Sequence, residues 1–203
     1  MRHTGSYGPG VLAVAAIVSA LLVWPMAGEA QTVTGRARAV QATVLGLLGG
    51  TTTVLADTGA LGGTSDARQA SAPTGNVPSL LTGDTLHATT IGWPDQVASE
   101  ASLGTLALRV AGTTIGADFV MARALAVLGA AGVGASNVEN LSINGVPIPV
   151  SGGPNQTISI PGGFVVINEQ RTSPTSTVVS ALHVIVYGVA DVVIGSATAG
   201  VRY

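Results

Sequence analysis

Histidines and carboxylates are the residue types in this chain that could hold a metal ion or move a proton. His87 and His183 are the two histidines beyond residue 30, and each lies among apolar and β-branched neighbours. A zinc site needs three or four His, Cys, Asp or Glu ligands at suitable spacing, and the chain has no cysteine and no such cluster. We therefore predict no metal or cofactor site, and we expect both histidines to be partly buried and hydrogen-bonded.

The acidic residues are dispersed along the chain and lack the spacing of an EF-hand. Carboxylates and backbone carbonyls in loops can nevertheless bind calcium without any recognisable motif. A calcium site therefore stays open as an alternative. The positions concerned are Asp84, Asp95, Asp118, Glu139, Glu169 and Asp191.

The segment from Val54 to Ala60 comes closest to a catalytic motif. Its apolar residues lead into Asp57-Thr58-Gly59, which resembles the strand and turn that present the catalytic carboxylate of aspartic proteases. In those enzymes two carboxylates share one proton and activate a water molecule. The chain has no second Asp-Thr-Gly, so a hydrolase of this type would have to form its site at a homodimer axis. The simpler interpretation is a strand that ends in a turn.

Trp93 is the residue most suited to stacking against a sugar ring. It is followed by Pro94, and only 3% of the chain is aromatic. A glycan-binding module that uses Trp93 is therefore an alternative function, while packing of the indole beside its proline is the simpler interpretation.

Charge and composition exclude several classes of partner. Only 9% of the residues are charged, the net charge is −2, and every cationic side chain is arginine. This leaves no basic surface for nucleic acid or anionic lipid. The abundance of glycine and β-branched residues favours strands and turns over helices.

Residues 1–30 have the features of a secretory signal peptide. Arg2 and His3 precede an uncharged apolar run from Val11 to Trp24, and Gly28 and Ala30 supply the small side chains of a cleavage site. The run is shorter than the roughly 20 residues that span a bilayer, although an uncleaved anchor is the alternative. We predict cleavage before Gln31 and export of the remaining chain, without a membrane segment.

Residues 31–203 are predicted to form a single all-β domain, an antiparallel β-sandwich built from successive hairpins. Short alternating runs are separated by turn residues, and no convincing crossover helix connects them. A chain of this length buries about 70% of the surface that it exposes when unfolded, so the absence of disulfides is no obstacle to folding.

The best-patterned hairpin runs from Glu100 to Ala126. Gly112-Thr113 is the preferred turn, because glycine in the first position suits a type II′ turn, and it would pair Leu108 with Ala117. A turn at Ala111-Gly112, pairing Leu108 with Ile115, is the alternative. In either register we predict an ion pair between Glu100 and Arg123, on the same face as the apolar residues.

Other hairpins have equally local signals. Asn144-Gly145 predicts a type I′ turn, and Pro147 on the following arm places that arm at a sheet edge. A Pro161-Gly162-Gly163 turn and a turn at residues 188–190 predict two further hairpins. Residues 57–81 contain several glycines and prolines and are predicted to form one long surface loop.

The stretches that carry a family resemblance are DTLHATTIG, TIGADFVMARA, LSINGVPIPVSGGPNQTISIPGG, VVINEQ and ALHVIVYGVADVVIGSATAGV. Together they resemble the bacterial choice-of-anchor P family of secreted or surface proteins, over roughly Val33 to Val201. The resemblance implies an exported, mainly β domain and carries over no functional residues. Because the chain ends two residues after its last predicted strand, we expect release to the medium or retention through a partner.

These observations predict a secreted or cell-surface, non-enzymatic β domain with a structural, adhesive or assembly role. The expected partners are cell-envelope components or further copies of the chain. The arm near Pro147 and the free N-terminal segment are the edges that we expect to accept or donate a strand. The hydrolase that uses Asp57 and the glycan-binding module that uses Trp93 remain the alternatives.

Overall fold

The computed structural model describes residues 31–46 and 49–203, which form β-strands joined by turns. No helix that could cross a membrane occurs within these two ranges. The predicted signal peptide lies outside the described residues. The strands are β1 Thr32–Gly46, β2 Gly49–Asp57, β3 Ala67–Val77, β4 Leu81–Gly92, β5 Gln96–Val110, β6 Thr113–Val127, β7 Val133–Glu139, β8 Ser142–Ile143, β9 Val146–Pro147, β10 Gln156–Ile160, β11 Gly163–Thr172, β12 Ser176–Val186 and β13 Ala190–Arg202.

The strands form two antiparallel sheets that pack face to face. Sheet A has the order β10-β11-β12-β13-β1-β2, and sheet B has the order β3-β4-β5-β6-β8-β9, with β7 also paired to β6. Strand β1 packs on β4 and β5, and β13 packs on β5 and β6. The predicted all-β fold, an antiparallel sandwich of successive hairpins, is confirmed.

Aliphatic and very small residues fill the space between the sheets. Ala37, Ala88 and Ala101 are completely buried and form a cluster of their own. A Cβ atom added to Gly35 would lie 2.4 Å from the Thr90 hydroxyl oxygen, so the sheets approach closely there. The Ser99 hydroxyl donates a 2.6 Å hydrogen bond to the carbonyl oxygen of Thr198, which links sheet B to sheet A. The high alanine and glycine content is thus explained by close packing of the two layers.

The β5–β6 hairpin forms, but its preferred register is wrong. Leu108 pairs with Ile115, so the turn residues are Ala111 and Gly112, with φ angles of 48° and 78°. These positive values define a type I′ turn. Pairing Leu108 with Ile115, both fully buried, outweighs the modest cost of a left-handed alanine. The predicted register rested only on the turn preference for glycine and left this packing out.

Two other turn predictions and the predicted edge position of Pro147 are confirmed. Asn144 and Gly145 have φ angles of 51° and 76°, as a type I′ turn requires, and β9, which contains Pro147, is the last strand of sheet B. Strands β10 and β11 join at Pro161-Gly162, with Ile160 opposite Gly163. Only glycine fits at Gly163, because a Cβ atom there would lie 1.8 Å from the carbonyl oxygen of Ile185.

The prediction of one long loop over residues 57–81 is wrong. Strand β3 occupies Ala67–Val77 and pairs with β4 along its whole length. Its inward-facing residues before Val77 are small, namely Ala70, Ala72 and Gly75, so most of the strand shows no hydrophobic alternation. Pro73 is tolerated because β3 is the edge strand of sheet B. The true loops cover only residues 58–66 and 78–80.

The expectation of a free N-terminal edge is also wrong. Strand β1 lies between β13 and β2 and pairs with both. The edge of sheet A at this side is β2 instead. The reason is that the last strand of the chain returns to pair with the first, a long-range contact that no local pattern indicates.

Candidate functional site

Asp57 lies where β2 ends, opposite Arg38 of β1. Arg36 donates to both of its carboxylate oxygens, with the guanidinium Nε 2.8 Å from Oδ1. The N–H of Gly59 donates to Oδ1 at 2.9 Å, and Arg38 Nε lies 3.5 Å from Oδ2. The Thr58 hydroxyl accepts a hydrogen bond from the N–H of Ala37 at 3.0 Å. The Asp-Thr-Gly segment therefore fastens the end of β2 to β1.

This environment favours the ionised form of Asp57. The hydrogen bonds from Arg36 hold the pKa of the carboxyl below its ordinary value, with further help from the Gly59 N–H and against the opposing effect of burial. An aspartic-protease dyad needs a carboxyl that shares a proton, and two arginines oppose protonation. The simpler interpretation, a strand that ends in a turn, is confirmed.

The two histidines lie in different sheets. His87 is on β4 of sheet B, opposite Ser71 and Ser102 on the neighbouring strands, whereas His183 is on β12 of sheet A. Across residues 31–46 and 49–203, no group of three His, Asp or Glu side chains could hold a metal ion.

His183 belongs to a polar cluster that sequence reasoning missed. Its Nδ1 atom is 2.7 Å from Glu169 of β11, and its Nε2 atom is 2.9 Å from Asp191 of β13. Arg171 donates to the other Glu169 oxygen at 2.9 Å. The His183 side chain is only 13% exposed, which confirms the expectation of a partly buried, hydrogen-bonded side chain for this residue. His87 is partly buried, but its side chain forms no hydrogen bond within the described residues. The cluster ties together three adjacent strands of sheet A.

The His183 cluster is a structural network of hydrogen bonds. Burial alone would raise the pKa of Glu169, but hydrogen bonds and charge from His183 and Arg171 outweigh it and hold that pKa below its ordinary value. Both imidazole nitrogens face a carboxylate, so neither is available as a base for a nucleophile while these contacts persist. A shallow depression of about 230 Å³ beside the cluster includes Ser180.

Most of the remaining acidic side chains and Trp93 lie at the surface. The Asp118 carboxylate accepts from Asn140 at 2.6 Å, and Glu139 accepts from Asn137 at 2.8 Å. Asp84 lies on β4, and Asp95 follows Trp93 and Pro94 in the turn before β5. Trp93 is 37% exposed. The structure gathers neither these carboxylates nor the tryptophan into one site.

A shallow apolar groove of about 390 Å³ lies on the outer face of sheet B. Outward-facing residues of four adjacent strands line it, in the order β4, β5, β6 and β7. Leu125 and Val133 are 38% and 62% exposed there, and the charged groups at the groove are the paired Glu100 and Arg123. The side chains that carry the apolar character are Ile91, Ala98, Leu125, Val133 and Ala135.

The predicted pair of Glu100 with Arg123 is confirmed, but its predicted face is wrong. The two residues are directly opposite, and Arg123 donates to the Glu100 carboxylate. Leu103 and Leu106 are both buried although they differ in parity, because Thr105 between them adopts a φ of 49°. This left-handed residue reverses which side chains face inward. Glu100 and Arg123 consequently lie on the outer face, within the groove.

Comparison with known proteins adds no relative from which a site could be transferred. The chain matches no protein-family model, no curated protein and no solved structure. The resemblance to the choice-of-anchor P family therefore stays a prediction from the sequence.

Proposed function

We propose that the chain is a non-enzymatic, extracellular β-sandwich module with a structural, adhesive or assembly role, and that its adhesive surface is the groove on the outer face of sheet B. The extracellular placement is supported by the signal-peptide features of residues 1–30. The adhesive role is supported by the groove itself, which is the observation that carries the proposal.

The groove combines exposure with apolar character. Leu125 and Val133 are substantially exposed, and covering apolar surface is favourable by about 25 cal/mol for each Å² removed from water. Exposed apolar surface that is continuous across several strands is typical of an interaction surface. The Glu100–Arg123 pair at the groove could orient a partner that carries either charge.

The candidate catalytic groups support a binding role over catalysis. Asp57 is held by Arg36 and Arg38, and His183 is held between two carboxylates. Neither residue lines the groove. Asp57 and His183, the groups that could carry out catalysis, therefore lie away from the apolar groove.

Adsorption of residues 31–203 to an alkyl-coated sensor, compared with a hydroxyl-coated one, tests this proposal. The double variant Leu125→Gln with Val133→Thr should bind about tenfold more weakly, a change of about 1.4 kcal/mol. Val146→Thr is the matched control, because Val146 is 60% exposed but lies on β9, away from the groove lining. Equal adsorption of the double variant and the wild type would contradict the proposal.

A further inference from the structure

Strand β2 is an exposed edge of sheet A. It is the terminal strand in the sheet order and pairs with β1 alone among the described strands. Alternate backbone N–H and C=O groups of such a strand point away from its single neighbour and can pair with a further strand. The edge is therefore a template for strand addition.

The other edges carry features that discourage pairing, whereas β2 carries none of them between Gly49 and Ala56. That segment has no proline and no charged residue. By contrast, β3 contains Pro73, the two-residue β9 contains Pro147, and β10 spans only five residues. Strand β7 spans seven residues and is shorter than β2, which spans nine. Prolines, charges and short lengths are the usual means by which edges avoid association.

A cleft of about 340 Å³ opens beside the inward-facing side of β2. Thr51 and Thr53 of β2 line it together with Val44 and Leu45 of β1, Val77 at the end of β3, and Pro78 in the turn that follows. A strand added next to β2 would direct every second side chain towards this cleft. Backbone pairing at an edge combined with a pocket for alternate side chains is the usual arrangement of strand-addition sites.

We propose that β2 pairs antiparallel with β2 of a second copy of this chain, about a two-fold axis at Thr53. Strand β2 runs from Gly49 to Asp57, so its midpoint is Thr53. This register places Leu55 of the second copy opposite Thr51, at the mouth of the cleft, and Val54 of the second copy opposite Thr52. No charged side chains oppose each other, and threonine with aliphatic residues makes favourable cross-strand pairs.

The second copy is the occupant that these observations favour, since the same uncharged segment supplies a free edge in each copy and sets threonine opposite aliphatic residues across the axis. The inference goes beyond the proposed function, because the groove of sheet B takes no part in it. Joining two copies in this way would extend sheet A across the dimer.

Sedimentation of residues 31–203 over a range of concentrations tests the inference. We expect a monomer–dimer equilibrium. Val54→Lys should raise its dissociation constant at least tenfold, because Val54 is exposed on the outward side of β2 and would lie opposite Thr52 of the second copy. Val146→Lys, a similar change on the edge strand β9, should leave the dissociation constant unchanged. Adding Thr52→Glu to Val54→Lys should restore dimerisation, because the two positions face each other across the axis and form two ion pairs.

Three results would contradict the proposed pairing of β2 with β2 of a second copy. A strict monomer at all concentrations, a dimer unaffected by Val54→Lys, or a dimer dissociated by Val146→Lys would each overturn the inference. If Val54→Lys fails to fold by circular dichroism, Thr52→Lys on the same outward side makes the same test. Adsorption to the alkyl surface depends on Leu125 and Val133, so failure of dimerisation and failure of the proposed function are separately visible.

Discussion

Asp57 illustrates how an apparent catalytic residue can serve as a structural fastener. Its carboxylate accepts hydrogen bonds from Arg36 and from the N–H of Gly59, and these contacts close the end of β2 against β1. The sequence motif correctly indicated a turn. Arg36 lies 21 residues earlier in the chain, and only the pairing of β1 with β2 brings it to the carboxylate.

Replacing Asp57 by asparagine should make stability less dependent on pH. The folded-state pKa of Asp57 is below its ordinary value of 3.8, so its charge stabilises the fold above that value, and the contribution disappears as the pH falls through the folded pKa. We expect Asp57→Asn to lower the free energy of unfolding by about 1–2 kcal/mol at neutral pH, the magnitude of a partly exposed charged hydrogen bond. Urea denaturation from pH 7 to pH 2 measures the difference.

The same series contains its own control. Asp95→Asn, at an exposed turn position, should change the free energy of unfolding by less than about 0.5 kcal/mol at neutral pH. If the difference between the wild type and Asp57→Asn persisted undiminished at pH 2, the proposed electrostatic role of Asp57 would be wrong.

At the scale of the strand pair, turn chemistry is optimal in one hairpin and suboptimal in another. Both the β5–β6 and the β8–β9 hairpins use type I′ turns, with Ala111-Gly112 in the first and Asn144-Gly145 in the second. Asparagine tolerates the left-handed conformation far better than alanine does. Ala111 is therefore accepted at a small cost because the flanking strands fix the register.

Ala111→Asn should consequently stabilise the protein. We expect an increase of about 0.5–1 kcal/mol in the free energy of unfolding, measured by chemical denaturation. Asn144→Ala is the reciprocal variant and should destabilise, all the more because the Asn144 side chain also accepts a 2.8 Å hydrogen bond from the N–H of Thr114. A neutral or destabilising Ala111→Asn would show that the turn conformation is not the limiting feature.

Local patterns predicted most strands but not their exceptions. Alternation and turn residues located the hairpins because both signals act within a few residues. Strand β3 escaped notice because Ala70, Ala72 and Gly75 supply little hydrophobicity on its inward face. The reversal at Thr105 could not be predicted, because threonine gives no sequence signal for a left-handed conformation. Without this reversal, the sequence does not predict that Glu100 and Arg123 face outward, and the groove is therefore not predicted either.

At the scale of the whole molecule, the two outer faces of the sandwich differ in character. The outer face of sheet A carries the Arg36–Asp57 and Glu169–His183–Asp191 contacts, in which these side chains bind one another. The outer face of sheet B carries the apolar groove. Composition could not predict this division, because it depends on which strands become neighbours and on where the alternation reverses.

Amide hydrogen exchange of residues 31–203 tests most directly whether the groove of sheet B is the binding surface. The measurement compares the free protein with the protein bound to alkyl-coated particles. If the groove is the binding surface, exchange should be slower in β5, β6 and β7 around Leu125 and Val133, with no change around His183 in β12. Protection confined to sheet A, or binding without added protection at the groove, would contradict it.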